Sequence, residues 1–195
     1  MASQHAQLNK DFGELMERVR RGREFSHSSF EPIYYLVFHP EEMLEVKRKT
    51  ASWLAKLKND NWDVSVFSMA EHVQDILASA PLRKIWLEGD SKAPLNWEST
   101  NQTLANALTR NNPLQSRLEV LLGSLEGNER ALVLVTDIEA LHPYMRIGAI
   151  EAQLQGKFHV PTIFLYPGVR TGKTRLKFLG FYPEDGNYRS VHVGG

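Results

Sequence analysis

The stretch ALVLVTD, residues 131–137, is the strongest predicted strand in this sequence and decides its fold class. Its nearly continuous apolar run, rich in β-branched residues, is typical of a strand that is buried on both faces of a parallel sheet. IYYLVF, residues 33–38, has the same character. Two such strands predict a sheet that is covered by helices on both sides.

Helical patterns alternate with the strands along the chain. The apolar spacing of residues 5–22 predicts an amphipathic helix that ends at Gly22. KIWLEGD (84–90) fits either a short strand or a helix end, and SKAPLNWEST (91–100) is predicted to be a loop. The other helices are predicted from Pro40 through about Leu57, from Ser68 as the cap to Pro81, over about 100–124 with a break at Pro113, and from about Pro143 to Leu154.

Shorter strands complete the pattern. VSVF (64–67) and PTIFLYPG (161–168) are further strands, the second ended by Pro167 and Gly168, and RLKFLGF and RSVHV are predicted edge strands near the C-terminus. The alternation predicts an α/β fold with a mostly parallel sheet, helices on both faces and short C-terminal edge strands. We expect a single domain over residues 1–195, with an N-terminal helix and connector at 1–29 and the core at 30–195.

The composition limits the function. The chain has 195 residues, of which 23 are basic and 23 acidic, and a formal net charge of zero argues against broad attraction to nucleic acid. Because cysteine is absent, disulfides, thiol catalysis and thiolate metal sites are excluded. MASQHAQLNKDF lacks the apolar core of a signal peptide, and no apolar run approaches the roughly 20 residues of a membrane span. We therefore expect a cytoplasmic protein without membrane contact.

PGVRTGKTRL, residues 167–176, looks at first like a phosphate-binding loop. The motif G-x-x-x-x-G-K-[ST] needs four residues between its glycines, whereas three separate Gly168 from Gly172. A phosphate loop also leads into a helix whose N-terminus faces the phosphates, and RLKFLGFYP is predicted to be a strand and turn. We interpret the segment as a basic surface turn, which leaves a nucleotide-binding enzyme as a less favoured alternative.

The turn after IYYLVF is where a nucleotide-binding sheet would carry its phosphate loop. It consists of HPEEMLE, in which Glu41 and Glu42 would repel a phosphate. ALVLVTD resembles the strand that presents a magnesium-linked aspartate in P-loop ATPases, but we expect Asp137 to cap the turn or the next helix. The expected fold is therefore P-loop-NTPase-like or Rossmann-like without a functional phosphate loop.

No catalytic centre, metal site or cofactor site is predicted, because the seven histidines are scattered and G-x-S-x-G is absent. In a parallel sheet the carboxyl ends of the strands share one edge, which is the usual place for function. Tyr and Arg are enriched at interface hot spots. We therefore predict a partner-binding surface at this edge, with an ordinary solvated rim as the alternative. Its candidate residues are His39, Asp137, His142, Tyr144, Arg146, Tyr166, Arg170, Lys173, Arg175, Tyr188 and Arg189.

Long segments in both halves of the chain carry a resemblance to a known family. They are IYYLVFHPEEMLEVKRKTASWLAKLK, WDVSVFSMAE, LVLVTDIEALHPYMRIGAIEAQLQGKFHVPTIFLYPG and LKFLGFYPEDGNYRSV. In this order they resemble the BrxB domain family of bacteriophage-exclusion (BREX) systems, over about residues 30–193. The most specific pieces are VTDIEALHPYMR, VPTIFLYPG and DGNYR.

The resemblance implies a bacterial or archaeal defence role as a small BREX component. The family offers no catalytic motif to match, so it implies a non-enzymatic subunit or adaptor. The PglZ phosphatase-like protein and the BREX ATPase are the expected partners, and any contact with DNA is expected to be indirect, through the complex. The alternative is a nucleic-acid-binding accessory protein that uses the loop RTGKTRLK and the segment ERVRRGR, residues 17–23.

Overall fold

The structure is a computed structural model that describes residues 2–24, 31–172, 175–186 and 190–195. It confirms the predicted α/β class. The described residues contain the strands β1 (Ile33–Phe38), β2 (Asp63–Ser68), β3 (Ala131–Thr136), β4 (Thr162–Thr171), β5 (Arg175–Phe178), β6 (Glu184–Asp185) and β7 (Val191–Gly194). Their helices are α1 (Ala2–Glu24), α2 (Met43–Asn59), α3 (Met69–Ala78), α4 (Arg83–Lys92), α5 (Trp97–Thr109), α6 (Pro113–Ser124) and α7 (Ile147–Gln153), with 3-10 turns at Pro40–Glu42 and Ile138–Leu141.

The main sheet has the strand order β2-β3-β4-β1-β7, and all of these pairs are parallel. Tyr35 of β1 lies opposite Phe164 of β4 on one side and His192 of β7 on the other. Beyond the end of β1, β4 continues and pairs antiparallel with β5, which pairs with β6. The mostly parallel sheet with short C-terminal edge strands is therefore as predicted.

Helices cover both faces of the sheet, as the apolar runs predict. Every residue of β1 is buried, and its side chains alternate between two apolar cores. Tyr34 and Leu36 face the core that includes α1 and α2. Tyr35 and Val37 face the core that includes α3, α5, α6 and α7. Successive side chains of a strand point to opposite faces of the sheet. Because each face of this sheet packs against an apolar core, every position of β1 carries an apolar side chain.

The N-terminal helix is part of this packing. Leu15 and Val19 are fully buried, and the ring of Phe12 stacks on Trp53 of α2 with 4.5 Å between the centroids. The predicted end at Gly22 is slightly too early, because α1 extends to Glu24. An added Cβ at Gly22 would lie 2.3 Å from the hydroxyl of Tyr34, so this glycine makes room for the tyrosine within the helix.

The helix cap predicted at Ser68 is confirmed. Its Oγ accepts a hydrogen bond from the backbone N–H of Glu71 at 3.3 Å, and its hydroxyl donates to Asp137 at 2.8 Å. The break predicted before Pro113 is also confirmed, since Asn111 and Asn112 both have positive φ between α5 and α6. Asparagine tolerates this left-handed conformation better than most residues.

We expect Ser68→Ala to lower the free energy of unfolding by about 1–2 kcal/mol, because it removes a cap and a hydrogen bond to a carboxylate. Urea unfolding followed by circular dichroism measures the change. Ser116→Ala, at an exposed position of α6, is the matched control and should change stability by less than about 0.5 kcal/mol. A loss for Ser68→Ala no larger than that of the control would contradict the prediction.

The prediction of a loop at 91–100 is wrong, and the ambiguous KIWLEGD is helical. α4 continues to Lys92 and α5 begins at Trp97, so only a short turn separates them. None of the residues of α4 is buried. Its apolar residues Ile85 and Leu87 are 64 % and 56 % exposed, so they do not mark a face that packs on the core.

Two boundaries around the carboxyl edge are also wrong. The helix predicted from Pro143 begins only at Ile147, because Arg146 is still extended after the preceding 3-10 turn. β4 does not end at Pro167 and Gly168. Pro167 lies opposite Phe38, the last residue of β1, and an added Cβ at Gly168 would lie 2.4 Å from the carbonyl oxygen of Lys177. The glycine therefore permits the close approach of β5 instead of ending the strand.

The segment PGVRTGKTRL forms the end of β4, a hairpin tip and the start of β5. The strand predicted after this segment is confirmed, because β5 begins at Arg175. Lys173 and Thr174 lie outside the described residues. The segment thus lacks the strand-to-helix context in which a phosphate loop works.

Candidate partner-binding surface

A crevice of about 420 Å³ lies at the carboxyl edge of the sheet. α2 forms one wall, and the turns after β2 and β3 form the other. In open α/β sheets, the crevice outside the carboxyl ends of the strands is the usual ligand position. Its lining includes apolar groups of Phe38, Met43 and Leu165 and charged groups of Lys47, Asp137 and Glu139.

Asp137 joins three elements at this crevice. Its carboxylate accepts hydrogen bonds from the hydroxyls of Ser68 and Thr136, each at 2.8 Å, and from the ammonium of Lys47 at 2.7 Å. The same ammonium lies 2.7 Å from a carboxylate oxygen of Glu139. The side chain of Asp137 makes no capping hydrogen bond to the following 3-10 turn, so the predicted capping role of Asp137 is wrong. The carboxylate instead ties β2, β3 and α2 together.

The ammonium of Lys47 is shared by the carboxylates of Asp137 and Glu139. Partial burial by itself raises the pKa of Asp137, but the hydrogen bonds from Lys47, Ser68 and Thr136 outweigh it and hold the pKa below its ordinary value. For Lys47, burial alone would lower the pKa, and the two carboxylates raise it above its ordinary value. The ion pairs therefore remain formed at neutral pH, and Lys47 occupies the space between the carboxylates.

A second group of side chains lies where the loop before α7 meets the turn after β5. We call His142, Arg146, Phe181 and Tyr182 the aromatic–arginine cluster. Phe181 stacks on Tyr182 with 4.7 Å between the centroids, and the guanidinium of Arg146 lies 4.6 Å from the centroid of the Tyr182 ring. The ring of His142 meets both aromatic rings edge-on, and its Nδ1 is hydrogen-bonded to the Tyr182 hydroxyl. Phe181 is 64 % exposed.

The backbone holds the cluster in place. Leu179 and Gly180 have positive φ, and the N–H of Leu179 donates to the carbonyl of Pro167 at 2.9 Å. This turn presents Phe181 outward, while Tyr182 packs against Phe178 of the core at 5.5 Å between centroids. An exposed aromatic ring on a rigid support, beside an arginine, has the composition of an interface hot spot.

Comparison with known families decides the assignment. The family model described as BREX protein BrxB matches residues 66–193 of the 195-residue chain. The chain belongs to the BrxB family. It is therefore a component of a BREX phage-defence system, and it works with other BREX proteins. A comparison with curated proteins and one with solved structures each give no match.

The BrxB match spans the whole aromatic–arginine cluster and Asp137, whereas Lys47 lies before it. Of the residues predicted for the partner surface, the structure brings His142 and Arg146 together in the cluster. Tyr144 is half-buried close by and packs partly against the core. His39 is exposed at the start of the turn after β1.

Other predicted residues do not join the cluster. Tyr166 is 1 % exposed and packs on Tyr35 and Phe178, so its assignment to a surface is wrong. The guanidinium of Arg170 donates to the main-chain carbonyls of Gly172 and His192. Arg175 is exposed and lies 3.4 Å from Glu184. The remaining candidates, Lys173, Tyr188 and Arg189, lie outside the described residues.

Sequence reasoning missed Phe181 and Tyr182, which it placed at an edge strand and a turn. The available signal was the pair of aromatic residues directly after Gly180 and before Pro183, since a turn of this kind exposes side chains. Within the described part of the chain, His, Asp and Glu side chains form no group of three or more that could hold a metal ion. No described helix has the length and apolarity that crossing a membrane requires.

Proposed function

We propose that the chain is a non-enzymatic subunit of its BREX system that binds other BREX proteins through the aromatic–arginine cluster. The observation that carries the proposal is the exposed ring of Phe181, held on Tyr182 beside Arg146. Because the rings and the arginine already contact one another, little side-chain freedom is lost on binding. The PglZ protein and the BREX ATPase are the proposed partners.

Two features of the carboxyl edge of the sheet support a non-enzymatic role. The turn after β1 places Glu41 and Glu42 at the start of the 3-10 turn, where carboxylates disfavour a phosphate. Lys47 is held between Asp137 and Glu139. These contacts give each of the three charges a protein partner.

The nucleic-acid alternative finds less support. In the segment 17–23, the guanidinium of Arg18 lies 2.6 Å from the carboxylate of Glu14, and that of Arg20 lies 2.8 Å from the carboxylate of Asp60. Arg170, at the other predicted basic site, is hydrogen-bonded to main-chain carbonyls. Cations that are already paired with carboxylates release fewer counterions from a phosphate backbone, so no steep salt dependence of DNA binding is expected.

The test is co-purification with PglZ and with the BREX ATPase of the same system, followed by titration of the partner that binds. Phe181→Ala combined with Arg146→Ala should weaken binding by about 30-fold or more, which corresponds to about 2 kcal/mol. Val120→Ala, which shortens another exposed apolar side chain on α6, is the matched control and should leave the affinity unchanged. Capture of neither protein by the wild-type chain would exclude the adaptor function, and equal affinity of the double variant would exclude this surface.

A further inference from the structure

A groove of about 870 Å³ runs along α5 and is closed on its other side by the loop before α7. We propose that this groove binds an extended peptide segment of a partner protein. The inference rests on the proposed adaptor function and adds the kind of segment that is recognised. The side chains on which it depends are those of Trp97, Asn101, Gln102, Ala105, Pro143 and Tyr144.

The length of the groove suits a short extended segment. Its α5 residues form one stripe from Trp97 to Thr109, at the spacing of successive helical turns. At 1.5 Å per residue this stripe is about 18 Å long. An extended chain rises by about 3.3 Å per residue, so about five residues of a peptide would span it.

The chemistry of the groove suits a peptide backbone. Side-chain amides of Asn101, Gln102 and Asn106 line it. Gln102 donates one hydrogen bond to the amide oxygen of Asn106 at 3.0 Å, and because an amide has two N–H groups and an oxygen that accepts two hydrogen bonds, each of the three amides keeps a donor and an acceptor for a peptide. This is the combination that the unpaired N–H and C=O groups of an extended peptide require. Trp97, which is 70 % exposed, and Tyr144 add aromatic surfaces for the side chains of the peptide.

The charge of the groove argues against a phosphate-bearing ligand. Among the described residues that line it, Glu98 is the only charged one, and it is acidic. A nucleic acid or a phosphopeptide would need Lys or Arg at this place. A second copy of the chain is also disfavoured, because homodimer interfaces have more apolar centres than this amide-lined floor.

The position of the groove links it to the aromatic–arginine cluster. Pro143 and Tyr144 form its wall, and they directly follow His142 of the cluster in the chain. Leu95, which also lines the groove, is 88 % exposed. One partner can therefore contact the cluster with its folded surface and place an extended segment along α5.

The absence of cysteine makes a direct test straightforward, because Ala105→Cys introduces a single thiol into the groove. This variant, labelled with a benzophenone maleimide, is irradiated with purified PglZ and, separately, with the BREX ATPase, and the cross-linked peptides are mapped by mass spectrometry. Ala55→Cys, at an exposed position of α2, is the matched control. We expect cross-links from position 105 to concentrate in one short segment of one partner, and those from position 55 not to reach it.

A second variant measures the affinity. Ala105→Arg places a long charged side chain in the path of the peptide and should weaken binding of that partner by about tenfold or more. Ala55→Arg should leave this affinity unchanged. If Ala105→Arg binds as the wild type does and the cross-links are scattered, the groove inference is overturned while the cluster proposal stands. Cross-links to a second copy of the chain in the absence of partners also overturn it. If the wild type binds neither protein, both proposals fail.

Discussion

Replacing Asp137 by alanine is expected to lower the free energy of unfolding by about 3 kcal/mol. The substitution removes the acceptor shared by the hydroxyls of Ser68 and Thr136 and by the ammonium of Lys47. Because Asp137 is partly exposed to water, each of the two hydroxyl hydrogen bonds contributes about 1 kcal/mol net, and the half-exposed Lys47 pair contributes less than about 1 kcal/mol. Asp137 also has φ of 57°, a left-handed conformation that costs alanine about 1 kcal/mol.

Two control variants separate these contributions. Asp137→Asn keeps a residue that tolerates positive φ and retains one acceptor oxygen, so we expect it to lose about half as much stability as Asp137→Ala. Glu139→Ala removes only the second contact of Lys47 and should cost less than about 1 kcal/mol. Chemical unfolding at pH 7 measures all three variants. An unchanged or increased stability of Asp137→Ala would reject the structural role of Asp137, since replacing a residue that serves function at the expense of stability is often stabilising.

The sequence predicts the sheet well because its central strands carry their own signal. β1 and β3 are buried on both faces, so their positions are visible as unbroken apolar runs. The order of the strands needs contacts between distant residues, such as Thr162 opposite Ile33 and Val133, and no local pattern contains them. KIWLEGD in α4 stays ambiguous between strand and helix for the opposite reason, because none of the residues of α4 is buried and its apolar residues therefore do not follow the spacing of a core contact.

The candidate site is predicted only in part. His142 and Arg146 are found because they follow a strand at the carboxyl edge. Phe181 is missed because its exposure depends on the β5 hairpin, which in turn depends on the continuation of β4 past Gly168. Tyr166 is misplaced by the same error, since the predicted end of β4 would have put it at the sheet edge.

Burial of a polar residue is equally invisible in the sequence. Glu151 lies in the core although its segment, GAIEAQL, is that of an ordinary amphipathic helix.

Glu151→Gln is expected to stabilise the protein by up to about 3 kcal/mol at pH 8 and to have little effect near pH 4.5. The pKa of Glu151 is raised to about 7, mainly by burial and further by the nearby charges of Glu31 and Asp185. The hydrogen bond from the hydroxyl of Tyr35 lowers this pKa but does not offset the burial. In the unfolded chain the pKa is the ordinary 4.5. The folded state therefore binds the additional proton between these values, and stability falls as the pH rises from about 4.5 to 7. Each pKa unit corresponds to about 1.4 kcal/mol.

His192, which also contacts Tyr35, contributes to stability with the opposite pH dependence. Its ring meets the Tyr35 ring edge-on at 5.3 Å between centroids, and burial, together with the charge of Arg170, lowers its pKa from 6.5 to about 4. The unfolded chain therefore binds the additional proton between these values, and stability is lost as the pH falls through this window. In the wild type the two slopes partly cancel between about pH 4.5 and 6.5.

This cancellation gives Glu151→Gln a distinctive profile. The variant keeps an oxygen to accept the Tyr35 hydroxyl but cannot titrate, so the acid-side loss due to His192 should appear uncompensated. Urea unfolding at half-unit steps from pH 4.5 to 8 measures both proteins, with Gln153, the exposed glutamine two residues along α7, replaced by glutamate as a surface control. The difference between variant and wild type should grow steadily as the pH rises to about 7 and then level off. A difference that stays constant over this range would mean that Glu151 titrates alike in the folded and unfolded states, and that its burial beside Tyr35 does not govern the proton.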